Sequence, residues 1–168
     1  MLKDQIIDLN NMKILVCVKE VPDIDPEVEL SIDSENAWIE IDDQSRFAMN
    51  RYDEYAVEEA IRIQEAMPDT TIDVVTVGPE RSHMVIRRAM GMGADHGIHV
   101  ITDHTGFISP NVVSSWLAQV TENRNYDLIL TGVMSEDAQQ GQTGVMLAER
   151  LSMPWATSVI KQEIVDES

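Results

Sequence analysis

The stretch Gly132-Val133-Met134-Ser135-Glu136-Asp137-Ala138-Gln139-Gln140-Gly141-Gln142-Thr143-Gly144 holds the residues best suited to chemistry on a small ligand. It is polar, carries three glycines and leads into a helix-forming segment. Successive backbone N–H groups ahead of a helix can cradle a phosphate, helped by the positive end of the helix dipole. At an exposed site that dipole contributes only ~0.3–1 kcal/mol, so several donors must converge. No Lys or Arg lies between Gly132 and Glu149. A phosphate here would therefore rest on backbone N–H groups, Ser135, Gln142 and Thr143, while Glu136 and Asp137 would repel it. Those two acids suit ribose hydroxyls or an adenine amino group better. A solvated surface loop has the same composition, and the pattern leaves both readings open. The turn Asn50-Arg51-Tyr52-Asp53 is equally two-sided. Asn50 suits a helix N-cap, and Asp53 at the third helical position completes a capping arrangement. A ligand can share the same helix end, with Arg51 as a phosphate contact or as a surface charge.

Other chemistries fail on context. Gly91-Met92-Gly93 with Gly97 resembles a dinucleotide fingerprint, but it follows a helical segment and precedes a strand, the reverse of what that fingerprint needs. His96 and His99 lack helical spacing and further ligands, so ordinary surface histidines are expected rather than a metal site. There is no P-loop, no Gly-x-Ser-x-Gly elbow and no Ser/His/Asp set. Glu58 and Glu59 point in different directions on a helix and read as a solvated face. The single cysteine, Cys17, sits in the apolar run Ile14-Leu15-Val16-Cys17-Val18 and reads as a small core residue rather than a reactive thiol.

The elements that would position these loops alternate along the chain. Strands are expected at 13–19, 72–77, 97–101, 127–131 and 156–160, and helices at 52–67, 82–90, from Ser109-Pro110 onward, and at 142–151. Two short alternating runs, 28–32 and 37–41, read as an inserted β-hairpin around Asp33-Ser34-Glu35-Asn36. Strict alternation of strand and helix predicts an α/β fold: a doubly wound, mainly parallel five-stranded sheet in the order 3-2-1-4-5, Rossmann-like, with helices on both faces. Ligands of such sheets bind outside the carboxyl ends of the strands, where the strand order reverses. Here that point lies between the first and fourth strands. It gathers the loop after Lys19, the turn before Tyr52 and the loop after Thr131. Residues 1–11 read as an N-terminal extension, 12–160 as the α/β domain, and 161–168 as the start of a further segment.

Composition narrows the partners. The 168 residues hold 12 Lys and Arg against 30 Asp and Glu, a formal charge of −18, which disfavours nucleic acid and anionic membrane as partners. The uncharged stretch 105–120 is too short and too polar to span a bilayer. No disulfide can form within the chain, and no targeting segment is evident, so a cytoplasmic setting is expected.

Several blocks, in order, resemble the beta subunit of electron transfer flavoproteins. They are Lys13-Ile14-Leu15-Val16-Cys17-Val18-Lys19 with Val21-Pro22-Asp23, then Asn50-Arg51-Tyr52-Asp53-Glu54-Tyr55-Ala56-Val57-Glu58-Glu59-Ala60, and Val77-Gly78-Pro79. Arg88-Ala89-Met90-Gly91-Met92-Gly93-Ala94-Asp95, Gly141-Gln142-Thr143-Gly144 and Pro154-Trp155-Ala156-Thr157 follow. The resemblance implies a heterodimer with an alpha subunit, accepting electrons from flavin dehydrogenases and passing them on through an FAD held mainly by the alpha subunit. It implies an adenine nucleotide in this subunit, AMP or a second FAD, and no catalytic residues. By position its contacts fall on Cys17, on Asn50, Arg51, Tyr52 and Asp53, on Val77, on Gly132, Val133, Met134, Ser135, Glu136 and Asp137, and on Gly141, Gln142 and Thr143. The family's usual proline after the turn asparagine is Arg51 here, and its C-terminal segment that wraps the alpha subunit is not in this sequence. The competing reading is a stand-alone, stress-protein-like adenine-nucleotide sensor, although Gly132, Gly141 and Gly144 do not have that group's glycine spacing.

Overall fold

The uninterrupted apolar run of Lys13–Cys17 forms strand β1 and is buried on both sides, with Ile14, Leu15 and Val16 fully enclosed. That is the signature of a parallel strand covered on both faces. The computed structural model describes residues 11–23, 32–33, 38–39, 45–104 and 106–164. After β1 come the short strands β2 (Glu20–Pro22), β3 (Ile32–Asp33), β4 (Trp38–Ile39) and β5 (Phe47–Met49), then helix α1 (Arg51–Ala66) and strand β6 (Thr71–Gly78). A 3-10 turn leads into α2 (His83–Met92), followed by β7 (His96–Ile101), α3 (Pro110–Thr121), β8 (Leu128–Thr131) and α4 (Thr143–Leu151).

Four strands make one parallel sheet in the order β7-β6-β1-β8. Successive side chains of a strand point to opposite faces, and the core divides accordingly. Ile14, Val16, Ile72 and Val74 pack with Val57, Ala60 and Ile63 of α1 and with Val85, Ile86 and Ala89 of α2. Leu15 and Val75 pack on the other face with Leu117 of α3, Tyr126 and Leu147 of α4. Helices therefore cover both faces, as the alternation of elements predicts.

The expected fifth strand does not form. Residues 156–160 carry no strand, Ser158 has a left-handed φ of 55°, and Val159 and Ile160 are exposed. A left-handed residue interrupts an extended run, and no described neighbour offers these side chains a core. Of the expected hairpin, Ile32–Asp33 pairs antiparallel with Trp38–Ile39, and the rest of 28–41 lies outside the described residues. So do most of the 1–11 extension and the end of the 161–168 segment.

A second antiparallel ribbon pairs β2 with β5, which the sequence pattern does not predict. It aligns Glu20 with Met49 and carries the turn before α1 to the end of β1. Arg81 fastens it from outside, its Nε 3.0 Å from Glu20 and its guanidinium 4.0 Å above the Phe47 ring.

At the opposite, amino end of the sheet, buried Asp73 accepts a 2.7 Å hydrogen bond from the Tyr126 hydroxyl and lies 3.0 Å from His96 Nδ1 and 3.4 Å from Lys13 Nζ. Burial pushes the Asp73 carboxyl up, but Tyr126, His96 and Lys13 outweigh it and hold it below the usual range. His96 is thus exposed yet tied to the fold. Among the described residues no helix is long and apolar enough to cross a membrane.

Candidate functional site

The carboxyl ends of β1 and β8 are adjacent, and the first turn of α1 stands over both. One buried side chain joins all three. Asp53 accepts the Lys19 backbone N–H at Oδ2 (2.8 Å) and the Gly132 backbone N–H at Oδ1 (3.1 Å). Gly132 is glycine because there is no room for more: an added Cβ would stand 2.3 Å from Asp53 Oδ1 and 2.9 Å from Tyr52.

Asn50 adds a second tie. Its backbone N–H donates to the Lys19 carbonyl (2.9 Å), its Nδ2 donates to the Met134 carbonyl (2.9 Å), and its Oδ1 accepts the Glu136 N–H (3.1 Å). The capping roles expected for Asn50 and Asp53 are therefore corrected. Asn50 starts α1 but makes no side-chain capping bond, and Asp53 reaches across to β1 and β8. The loop after β8 has backbone groups that must find partners once covered, and these two side chains supply them. The start of α1 is served from the loop instead. Glu136 Oε2 accepts the Arg51 N–H at 3.2 Å, placing a carboxylate at the positive end of the helix, with Arg51 Nε 3.9 Å from Oε1.

Lys19 completes the arrangement. Its ammonium donates to both oxygens of Asp137 (2.7 and 2.6 Å) and to Ser135 Oγ (3.3 Å). Asp137 thus pairs with Lys19, and Glu136 meets the Arg51 amide at the start of α1. Beyond them the loop turns through left-handed Gln139 (φ 52°) and Gly141 (φ 60°) and enters α4, which begins at Thr143 with no side-chain cap. An uncapped helix start directs unshared N–H groups outward, the arrangement that suits a phosphate.

Cys17, Asn50, Tyr52, Asp53, Val77, Gly132, Val133, Met134, Ser135, Asp137, Gly141, Gln142 and Thr143 line one open cleft, which continues along the sheet to Tyr126, Asp127 and Ile160, and Arg51 and Glu136 lie outside its lining. Lys19 also lines it and was missed in the sequence. The available signal was its place as the first charge beyond β1, at the strand-order reversal.

Burial pushes the Asp53 carboxyl up from 3.8 to about 7, against the lowering pull of the Lys19 and Gly132 amides, the Asn50 side chain and the Lys19 ammonium. Burial, with Asp53 nearby, pushes the Cys17 thiol up to about 12. Only the thiolate is nucleophilic, so Cys17 is inert at neutral pH. Iodoacetamide at pH 7.5 is expected to label the native chain at least ~10-fold more slowly than the urea-unfolded chain, the thiolate fraction and access both being lower when folded. Equal rates would show that Cys17 is freely exposed.

Residues 38–168 match the family model described as an electron transfer flavoprotein domain. The chain is 38% identical over 158 residues to the electron transfer flavoprotein subunit beta of Dictyostelium discoideum, covering 94% of this chain and 61% of that protein. It is 37% identical over 153 residues to the subunit beta of Bradyrhizobium diazoefficiens, covering 91% and 59%. The mitochondrial subunit beta of Oryza sativa subsp. indica is 36% identical over 152 residues, covering 89% and 59%. The chain spans about three fifths of the length of these relatives.

Proposed function

Since the chain belongs to the electron transfer flavoprotein family as a member of its beta-subunit branch, we propose that its cleft holds the adenosine phosphate part of AMP or of a second FAD. In that role it forms half of an electron-carrying heterodimer. Its partner is an alpha subunit that holds the main share of the working FAD, and flavin dehydrogenases are the electron donors.

The observation that carries this reading is the convergence on Asp53 and Asn50. Two side chains of one helical turn fix the ends of β1 and β8 and the loop leading into α4. That is the position where open α/β sheets bind nucleotides. The residues suit the ligand. The uncapped start of α4, with Gln142 and Thr143, offers donors to a phosphate. Asp137 is paired with the Lys19 ammonium, and Glu136 lies outside the cleft lining. The apolar floor near Cys17 and Val77 suits a base. A bound flavin would supply the redox chemistry, and the protein supplies binding and orientation. None of the cleft's side chains needs to act as an acid or base, and the inert Cys17 thiol fits a carrier without catalytic residues of its own.

The test is co-expression with an alpha subunit of the same family, followed by denaturation and chromatography of the released small molecules. One AMP and one FAD per heterodimer is the result expected of a simple carrier, and two FADs of a carrier with a second flavin. ATP on the lone chain with no heterodimer would replace this reading with a nucleotide sensor.

A further inference from the structure

We propose that Lys19 is a positioning residue of the nucleotide site: its ammonium neutralises Asp137 and holds the loop after β8 in the shape that accepts a phosphate. The inference rests on the nucleotide reading of the cleft and adds a residue to it.

The backbone of Lys19 is fixed on both sides, its N–H by Asp53 Oδ2 at 2.8 Å and its carbonyl by the Asn50 N–H at 2.9 Å. The side chain therefore leaves from a rigid point. It spans from the end of β1 to the loop, where its Nζ meets both Asp137 oxygens and Ser135 Oγ. The two ends differ in exposure: the Lys19 side chain is 42% exposed and that of Asp137 only 5%. A carboxylate so enclosed needs a counter-charge. No cation is available within the loop, because the sequence has no Lys or Arg from Gly132 through Glu149. The same Asp137 also accepts the Ala138 N–H at 2.7 Å, and Gln139 N–H closes a turn on the Ser135 carbonyl at 2.9 Å. Lys19 therefore holds the residues that shape the loop's middle. Removing the ammonium would leave a buried, unpaired negative charge beside the phosphate position and loosen that turn.

A charge-balancing role and a direct phosphate contact predict different outcomes in a double variant. AMP and adenosine affinities are measured by equilibrium dialysis for the full chain, for Lys19→Met and for Lys19→Met with Asp137→Asn. Amide exchange at Ala138 and Gln139 is followed in the same proteins. Lys19→Met is expected to weaken AMP by about 10-fold or more and adenosine by less than about 3-fold, since the unpaired charge acts on the phosphate. Exchange at Ala138 and Gln139 is expected to rise. The double variant, with no acid left unpaired, is expected to recover most of the AMP affinity. A double variant no better than Lys19→Met would overturn the proposal in favour of direct phosphate contact. Equal losses of AMP and adenosine would overturn it in favour of a purely structural role. If the wild-type chain binds no AMP, the nucleotide reading fails. Unchanged exchange in Lys19→Met, in a wild type that does bind AMP, would overturn only the positioning role.

Discussion

Gly132→Ala is expected to detach the end of β8 from α1 and to abolish adenine-nucleotide binding. The reason is space rather than backbone conformation, because the left-handed glycines of the described chain are Gly93 and Gly141. An added Cβ would fall 2.3 Å from Asp53 Oδ1 and 2.9 Å from the Tyr52 carbonyl carbon and Cβ. Tyr52 is in the first turn of α1, and Asp53 is held at its other oxygen by the Lys19 amide, so neither can retreat cheaply. Overpacking costs ~1–3 kcal/mol and a lost hydrogen bond to a charged group ~1.5–3 kcal/mol, so a total of roughly 2.5–6 kcal/mol is expected. Urea unfolding measures it, with AMP binding followed in parallel. Gly91→Ala is the matched control. Gly91 lies within α2 and an added Cβ there meets nothing within 4 Å, so a gain of about 0.5–1 kcal/mol is expected from helix propensity. Equal stability of the two variants would remove the close approach of α1 to β8 from the account.

Asp53→Asn is expected to have the second largest effect. Both carboxylate oxygens accept backbone N–H groups, and an amide offers one acceptor and one donor. Either orientation sets an NH2 against an N–H and leaves a buried amide unpaired, a loss of about 1–3 kcal/mol. The change also alters the pH profile. Burial raises the folded Asp53 pKa from 3.8 to about 7, so between these values the folded chain binds the proton more readily than the unfolded chain. Stability linked to Asp53 must then fall as pH rises from about 4 to about 7, and level off above. Asp73 has the opposite sign. Its folded pKa is depressed, so its contribution is present above the ordinary carboxylate range and lost as pH falls below it. The wild-type chain is therefore expected to be most stable on the acid side of neutrality. In Asp53→Asn the fall between pH 5 and 7 should be reduced, while the loss at low pH remains. Relief of self-repulsion among the chain's acids acts in both proteins, so the difference between their urea midpoints isolates Asp53. Parallel profiles would show that Asp53 titrates as an ordinary surface carboxylate.

Runs and stripes whose burial is set by neighbours along the chain are legible in the sequence. The run Ile14-Leu15-Val16 is apolar on both sides because both faces of β1 are covered, and α1 shows its apolar stripe through Val57, Ala60 and Ile63. The β2–β5 ribbon was invisible because each strand has three residues, one of them Pro22, and the pairing joins segments more than twenty residues apart. Residues 156–160 hold the β-branched residues Thr157, Val159 and Ile160, as a strand does, but Ser158 turns left-handed, a choice that composition does not reveal. The loops of the candidate site could be found from sequence because strand-order reversal gathers them. Their internal partners could not. Asn50 and Asp53 have the types and spacing of a helix cap, and only the approach of β8 diverts them to Met134, Glu136 and Gly132. Lys19 and Asp137 are 118 residues apart, and nothing local in either links them.

The central claim is that an adenine nucleotide occupies the cleft between the ends of β1 and β8. Hydrogen–deuterium exchange of the full chain with and without AMP tests it most directly. AMP is expected to slow exchange at residues 50–53 and 132–145 and to leave the amino end of the sheet, around Asp73 and Tyr126, unchanged. Protection absent from those two segments, or confined to the Asp73 end, would contradict it.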